Sequence, residues 1–247
     1  MKKETLKSYL NLAQSTARIA GDFLNNQKKE KKIVHSESGK DIKLEIDRAA
    51  EKLIREKLSV SGIAVYGEEF GLGESSVNSQ GEKRWIVDPL DGTSNYFRSI
   101  DQSCVCIALE WQSEILIGVI YNFNTNQMYS SAKGQGAYLN GIKINVSNIK
   151  EKSKASLTTG FPASTSVEHS LKSLINLGEW KKIRMFGSAG LSCAYVAAGN
   201  CDCYIETGVY IWDIAAGICI IEEAGGVADY RKIDDETYSV YFSNGKI

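Results

Sequence analysis

Residues Trp85–Asn95 read WIVDPLDGTSN: an apolar run stops on an aspartate, a proline follows, and a second aspartate stands three residues after the first. Trp85-Ile86-Val87 has the character of a buried strand, and Asp88 stands where that strand emerges. Pro89 has no N–H and blocks simple continuation. Asp91-Gly92-Thr93-Ser94 carries the short polar side chains of a turn that starts a helix. A helix N-terminus attracts anions, phosphate in particular, and hard cations take carboxylate, carbonyl and water oxygens. On these residues alone two readings stand side by side. One is an Asp-Gly turn capping a helix; the other is a pair of carboxylates holding a cation next to an anion.

Other acids occupy similar places. Glu68 and Glu69 end the short apolar stretch GIAVYG at residues 62–67, and Asp47 opens an amphipathic helix. Ile211-Trp212-Asp213 sets a carboxylate at the start of an apolar helix, where Asp213 by itself reads as an N-cap. Like carboxylates repel, and only cations or protons make their convergence stable. Acids gathered at element ends therefore point to a shared cation site.

The chain of 247 residues suffices for one large core or two small domains. A net charge of -1, from 29 Lys+Arg against 30 Asp+Glu, argues against a nucleic-acid partner. The basic run Lys28–Lys32 (KKEKK) reads as a solvated helix end. None of the six cysteines forms a CxxC pair. Cys104/Cys106 and Cys201/Cys203 are spaced by two, which puts each pair on one face of a strand as reduced core residues. Spacing and histidine supply do not fit a zinc site. The start, MKKETLKSYLNLAQ, lacks an apolar signal region, and no run approaches the roughly 18 apolar residues of a membrane span. The expected location is the cytoplasm, with no membrane partner.

Helical spacing of Leu6, Leu10, Ala13, Ala17, Ala20 and Leu24 predicts a helix over residues 4–27, followed by a charged loop over 28–41 and a second helix over 47–58. Residues 71–83 read as a polar loop. Strands over 103–110, 115–121, 127–131 and 137–139 predict an antiparallel meander, with Asn140-Gly141 as a hairpin turn. The second half alternates: strand 155–159, helix 166–177, strand 183–186, helix 188–198, strand 202–206, helix 212–224 and strand 227–230. Two packed halves are expected, an α+β half over 1–150 with most metal ligands and an α/β half over 151–247 with substrate-binding residues.

The segment DPLDGTSN resembles the DPxDGTxN signature of the inositol monophosphatase family of Mg2+-dependent, lithium-sensitive phosphatases. Gly67-Glu68-Glu69 and WDIAAG at residues 212–217 match its other two signatures in order, and KGQGAYLNG at 133–141 is similar to its middle segment. The resemblance implies an α+β fold, a layered α-β-α-β-α sandwich with an antiparallel N-terminal sheet and a second mixed sheet in the C-terminal half. It implies two or three Mg2+ ions, a small phosphorylated substrate and a homodimer. Residue by residue, Glu68 resembles the glutamate of a first metal ion, shared with Asp88 and the main-chain carbonyl of Leu90. Asp88, Asp91 and Asp213 resemble ligands of a second ion, with Asp213 counted among the substrate residues as well. Thr93 resembles the residue that orients the attacking water, with Asp47 as its partner, and the resemblance makes Thr93, Asp47 and Glu68 the catalytic set. Gly92, Thr93 and Ser94 are similar to the phosphate cradle, and Glu206 in YIETG matches the acid that grips substrate hydroxyls. Gly187-Ser188-Ala189 resembles the loop flanking the substrate ring.

These roles suit phosphate-ester hydrolysis, which concentrates negative charge on phosphoryl and leaving oxygens and, with metal-activated water, needs no covalent nucleophile. No Cys-x5-Arg loop or DxDx[TV] motif is present, and His35 and His169 read as surface residues. The chain departs from the family pattern in three places. Lys43 and Leu44 stand where members have a Val-Thr pair. Arg98 and Asp101 stand where many have His and Pro, and are expected at the substrate mouth or a subunit contact. The chain ends at SNGKI after its last strand, where many add a helix, a difference expected to touch oligomer contacts and stability more than chemistry. The leading expectation is hydrolysis of a small polyol or sugar phosphate, inositol 1-phosphate first. The alternatives are fructose-1,6-bisphosphatase, 3′-phosphoadenosine 5′-phosphate phosphatase or histidinol-phosphate activity, and a non-catalytic metal- or phosphosugar-binding module. YIETGVYIWD lacks the Pro-Arg and Gly-Pro-Thr elements of the phosphoadenosine enzymes.

Overall fold

The computed structural model describes residues 3–28, 34–38, 41–72, 83–161, 168 and 175–247. Helix α1 (Lys3–Gln27) and helix α2 (Glu45–Leu58) lie on one face of an eight-stranded sheet. Its strands are β3 (Ala64–Gly67), β4 (Gly71–Leu72), β5 (Lys83–Asp91), β6 (Cys104–Trp111), β7 (Glu114–Asn122), β8 (Gln127–Ala132), β9 (Ala137–Leu139) and β10 (Ile142–Ile144), in the order β10-β9-β8-β7-β6-β5-β3-β4. The expected meander is present from β5 to β10, and Asn140 and Gly141 make its last turn with φ of 49° and 81°. Both angles suit the mirror-image turn whose twist matches the flanking strands. The sheet is not antiparallel throughout: β4 turns back antiparallel to β3 at the sheet edge, and the chain then returns as β5 on the other side of β3, parallel to it.

The second sheet is mixed and five-stranded, in the order β12-β11-β13-β15-β14. Its strands are β11 (Ser156–Thr159), β12 (Lys182–Arg184), β13 (Cys203–Tyr210), β14 (Val227–Lys232) and β15 (Thr237–Ser243). β11 is parallel to β12 and β13; the remaining pairs are antiparallel. Helices α4 (Ala189–Ala197) and α5 (Ile211–Glu223) lie between the two sheets, while the five-residue helix α3 (Thr93–Phe97) follows β5 directly. α5 is buried without a break from Ile214 to Ile221, as a helix covered by sheets on both sides must be. The layers are thus helix, sheet, helix, sheet, with a 3-10 helix at Ile175–Glu179 on the far side. The helix expected over 166–177 lies largely outside the described residues.

Period-two alternation sorts the core. Trp85, Val87, Val105, Ile107 and Leu109 face α1 and α2; Ile86, Cys104, Cys106 and Ala108 face α4 and α5. A third cluster, with Leu157, Leu177, Trp180 and Cys203, closes the outer face of the second sheet.

Four local expectations are corrected. Residues 28–41 are not all loop: β1 (Val34–Ser38) pairs antiparallel with β2 (Asp41–Leu44). VHSES and DIKL are too short and polar for a burial period to show. The side chains of His35, Lys43 and Leu44, and all of His169, lie outside the described residues. The strand holding Asp88 does not stop there but continues to Asp91. Asp213 is not the N-cap of α5: Tyr210 is, and Asp213 sits one turn in, accepting the Tyr210 N–H at 2.8 Å. Cys201 and Cys203 do not share a strand face. Cys201 precedes β13 and packs between the sheets, whereas Cys203 packs in the outer cluster. Among the described residues no helix is long and apolar enough to cross a membrane.

Candidate active site

Residues three apart on a regular strand face opposite ways. In β5 the pairing with β6 shifts between Asp88, opposite Cys106, and Asp91, opposite Cys104, so three steps on β5 match two on β6. The extra residue is a β-bulge at Pro89-Leu90, where Pro89 needs no ladder partner. Leu90 turns its side chain into the core under α1 and α2, and Asp88 and Asp91 both face the space between the sheets. Asp88 Oδ1 accepts the Leu90 N–H at 2.9 Å, which holds the bulge closed. Gly92, at φ 83°, then enters α3 where a side chain would strike the Gln102 carbonyl at 2.6 Å.

That space is a cavity of about 280 Å3. β5 and the start of α3 bring Asp88, Leu90, Asp91, Gly92, Thr93 and Ser94 to it, and the end of β3 brings Glu68. Gly187, Ser188 and Ala189 come from the start of α4, Glu206 from β13 and Asp213 from α5. Asp47 does not line the cavity. It lies behind Thr93, whose Oγ1 is 3.5 Å from Asp47 Oδ1 and donates to the Leu90 carbonyl at 2.9 Å. Arg98 and Asp101, expected at the mouth or a subunit contact, do not line the cavity either. Both are exposed, and Asp101 pairs with Lys28 at 3.1 Å.

Five carboxyl groups meet here, and none of the described residues lining the cavity is basic. Burial, then repulsion from Glu68, Asp91 and Asp213, pushes the Asp88 carboxyl well above its usual range. Burial also raises Asp213, with Asp91 and Glu68 adding to it. Asp91 is raised by burial against the pull of hydrogen bonds from Ser188, the Gly190 N–H and Cys104. Glu206 is pushed up to about 7, first by burial, against the hydroxyl of Tyr204 that donates to it at 2.9 Å. All-oxygen donors with uncompensated charge fit hard divalent cations, which would remove the repulsion.

The profile of the inositol monophosphatase family matches residues 5–239. The chain belongs to that family. Its sequence is 37% identical over 238 residues to Nus factor SuhB of Xylella fastidiosa, covering 92% of this chain and 84% of that one. It is 38% identical over 225 residues to an inositol-1-monophosphatase of Rhizobium meliloti, covering 90% and 82%. The fold superposes on the extragenic suppressor protein suhB of Bartonella henselae with a TM-score of 0.85 at 33% identity, over 94% of this chain and 93% of that one. For the Thermotoga maritima IMPase the TM-score is 0.84 at 29% identity, over 97% and 93%. As a member of the inositol monophosphatase family the protein is a phosphoric monoester hydrolase.

Several supporting residues of this family member are silent in its sequence. Fully buried Glu51 of α2 accepts the Glu69 N–H at 2.7 Å and the Arg55 Nε at 2.8 Å. Arg55 in turn donates to the carbonyls of Val65 (2.9 Å) and Gly71 (2.6 Å), so one ion pair clasps both ends of the turn carrying Glu68. A side chain at Gly67 would meet the Glu51 carboxylate at 2.3 Å. On the opposite wall, a side chain at Gly160 would meet the Glu206 carboxylate at 2.4 Å. Asn95 binds the carbonyls of Gln102 (2.7 Å) and Phe186 (2.7 Å), tying α3 to the 187–189 loop. Ser188 directs its hydroxyl at Asp91 and also caps α4 through the Leu191 N–H. The sequence carries no signal for Glu51, because its burial is a product of the tertiary fold.

Glu51→Ala is expected to cost about 3 kcal/mol of unfolding free energy in urea titration, because it strands the Glu69 N–H and the Arg55 charge. Glu51→Gln, which keeps an acceptor for Glu69, loses less. Equal losses for the two would show that the clasp does not work through this hydrogen bond.

Proposed function

We propose that the protein is a Mg2+-dependent phosphatase of a small polyol or sugar phosphate, with inositol 1-phosphate as the first substrate to test. The observation that carries this reading is the convergence of Glu68, Asp88, Asp91 and Asp213 on one cavity with no basic residue among its described lining. A phosphate dianion would be repelled from such a cavity unless cations stood between it and the acids. Glu68, Asp88 and the Leu90 carbonyl would hold one ion, and Asp88, Asp91 and Asp213 a second. Bound ions supply charge neutralisation at the phosphoryl and leaving oxygens and make water easier to deprotonate.

The chain's own residues do the rest. Thr93 Oγ1 accepts a hydrogen bond from the attacking water as it gives its own proton towards Asp47 Oδ1, so the proton leaves along the line the structure spans at 3.5 Å. The Leu90 carbonyl at 2.9 Å holds the hydroxyl in place before that exchange. Gly92, Thr93 and Ser94 border the phosphate position. Water oxygen bonds to phosphorus, the ester P–O bond breaks, and the leaving alkoxide takes a proton from a solvent water to give the alcohol and inorganic phosphate, a proton matched by the one that Asp47 returns to solvent. Glu206, its carboxyl pushed up to about 7 by burial, either accepts from or donates to a substrate hydroxyl, and Tyr204 fixes one of its oxygens for that purpose.

Release of inorganic phosphate from inositol 1-phosphate is expected with Mg2+ and not without it, and to fall with Li+ or excess Mg2+. Absence of turnover on a panel including fructose 1,6-bisphosphate, 3′-phosphoadenosine 5′-phosphate and histidinol phosphate would favour a non-catalytic binding module. Asp88→Asn keeps an acceptor for the Leu90 N–H, so it is expected to stay folded by circular dichroism. Its turnover should drop by about a hundredfold or more, given that even outer-shell changes at metal sites reach that scale. Normal turnover would refute the ligand assignment. Glu206→Gln is expected to raise KM for inositol 1-phosphate about tenfold, the worth of one charged hydrogen bond. KM for phenyl phosphate, which has no ring hydroxyl, should stay put; an equal rise for both would show that Glu206 does not read hydroxyls.

A further inference from the structure

The bulge that aligns Asp88 and Asp91 also places Cys104 and Cys106 opposite them on β6. The three donor atoms of Asp91, Cys104 and Cys106 all lie within 4.8 Å of one another, and all three residues are buried. Cys104 Sγ is 3.4 Å from Asp91 Oδ2 and 3.7 Å from Cys106 Sγ. A tetrahedral ion with Zn–S near 2.3 Å and Zn–O near 2.0 Å requires S···O edges of about 3.5 Å and S···S edges of about 3.8 Å. The Cys104–Asp91 and Cys104–Cys106 edges match these lengths, and the Cys106–Asp91 edge lies within 4.8 Å. Gly190 sits against all three donors: a side chain there would come within 2.5 Å of Cys106 Sγ and 3.0 Å of both Asp91 Oδ2 and Cys104 Sγ, so only a glycine fits beside the group. Ser188, 3.7 Å from Cys104 Sγ, stands between this group and the cavity that it lines.

We propose that Asp91, Cys104 and Cys106 form a site for a thiophilic dication, Zn2+ or Cd2+, beside the cavity and sharing Asp91 with it. Thiolate ligands select such ions and have no use for Mg2+. Exchange of two thiol protons for one dication leaves the net charge unchanged, so the buried group takes up the ion without adding charge to the interior. Asp91 Oδ2, which now accepts from Ser188 and from the Gly190 N–H at 2.8 Å, becomes the oxygen ligand. On the reading that Asp91 is a Mg2+ ligand, occupation of this site inhibits the phosphatase. The same two cysteines that the spacing rule sets aside as core residues are thereby an inhibitory metal site, with the carboxylate supplying what histidine does not.

The test is titration of Mg2+-free protein with Cd2+, followed by the ultraviolet thiolate-to-cadmium charge-transfer band. One equivalent is expected to saturate the band in the unaltered protein. The Cys104→Ser/Cys106→Ser double variant should lose the band and Cys193→Ser should keep it. No band in the unaltered protein, or one that survives the double substitution, overturns the site. Should the double variant fail to fold by circular dichroism, Cys106→Ser alone decides, expected at about half height and overturning the site at full height. In the phosphate-release assay, each protein normalised to its own Mg2+ rate, the double variant is expected to need at least about tenfold more Zn2+ for half inhibition. An unchanged midpoint with the band present overturns the inhibitory role and leaves the site. Absence of any Mg2+-supported turnover refutes the phosphatase reading, and the band still decides the site.

Discussion

One extra residue in β5 turns two carboxylates that a regular strand would hold on opposite faces toward the same space. The rest of the site follows from that bulge. Because β5 is central, with β3 on one side and β6 on the other, the two acids cannot swing out to water. They are 2% and 8% exposed, and each is held by backbone N–H groups, Asp88 by Leu90 and Asp91 by Gly190. Repulsion between them is therefore built into the fold, and Glu68, Glu206 and Asp213 are brought up to the same place by the turn after β3, by β13 and by α5.

Each of those elements is fixed by a contact of its own. The Glu51–Arg55 pair holds the turn that carries Glu68, and the side chain of Glu69 is drawn towards Arg48, at 4.0 Å. Asp213 is set by its bond to the Tyr210 N–H at the head of α5. Glu206 is set by Tyr204 and by the bare backbone of Gly160 across the parallel pair β11–β13. Rigid support of this kind costs burial of charge, which the family's chemistry turns to use by binding cations.

The residues that touch the cavity were legible because their types and order carry the chemistry. Two aspartates around a proline, a Gly-Glu-Glu and a Trp-Asp each stand at the end of an apolar run. What supports them was not legible, since Glu51 looks like any polar position of an amphipathic helix until the tertiary fold buries it. The bulge was half visible: Pro89 signalled a break, but only the β6 partner shows that the strand goes on to Asp91. Asp213 looked like a cap because an acid preceding an apolar helix usually is one; Tyr210 takes that place here. The hairpin β1–β2 escaped because its pairing rests on backbone bonds between polar residues, which leave no burial period to read.

Asp91 sits on β5 of the first sheet, yet its carboxylate accepts from the first N–H groups of α4, which packs against the second sheet. Any cation that loads Asp91 competes with the helix for the same oxygens. Ion binding and the grip between the two sheets are then parts of a single equilibrium, linked as any ligand is linked to the form it prefers. A cation that took oxygens from α4 would loosen that hold unless Asp213 of α5 closed around the same ion, so the join between the layers would depend on how many of the acids the ion engages.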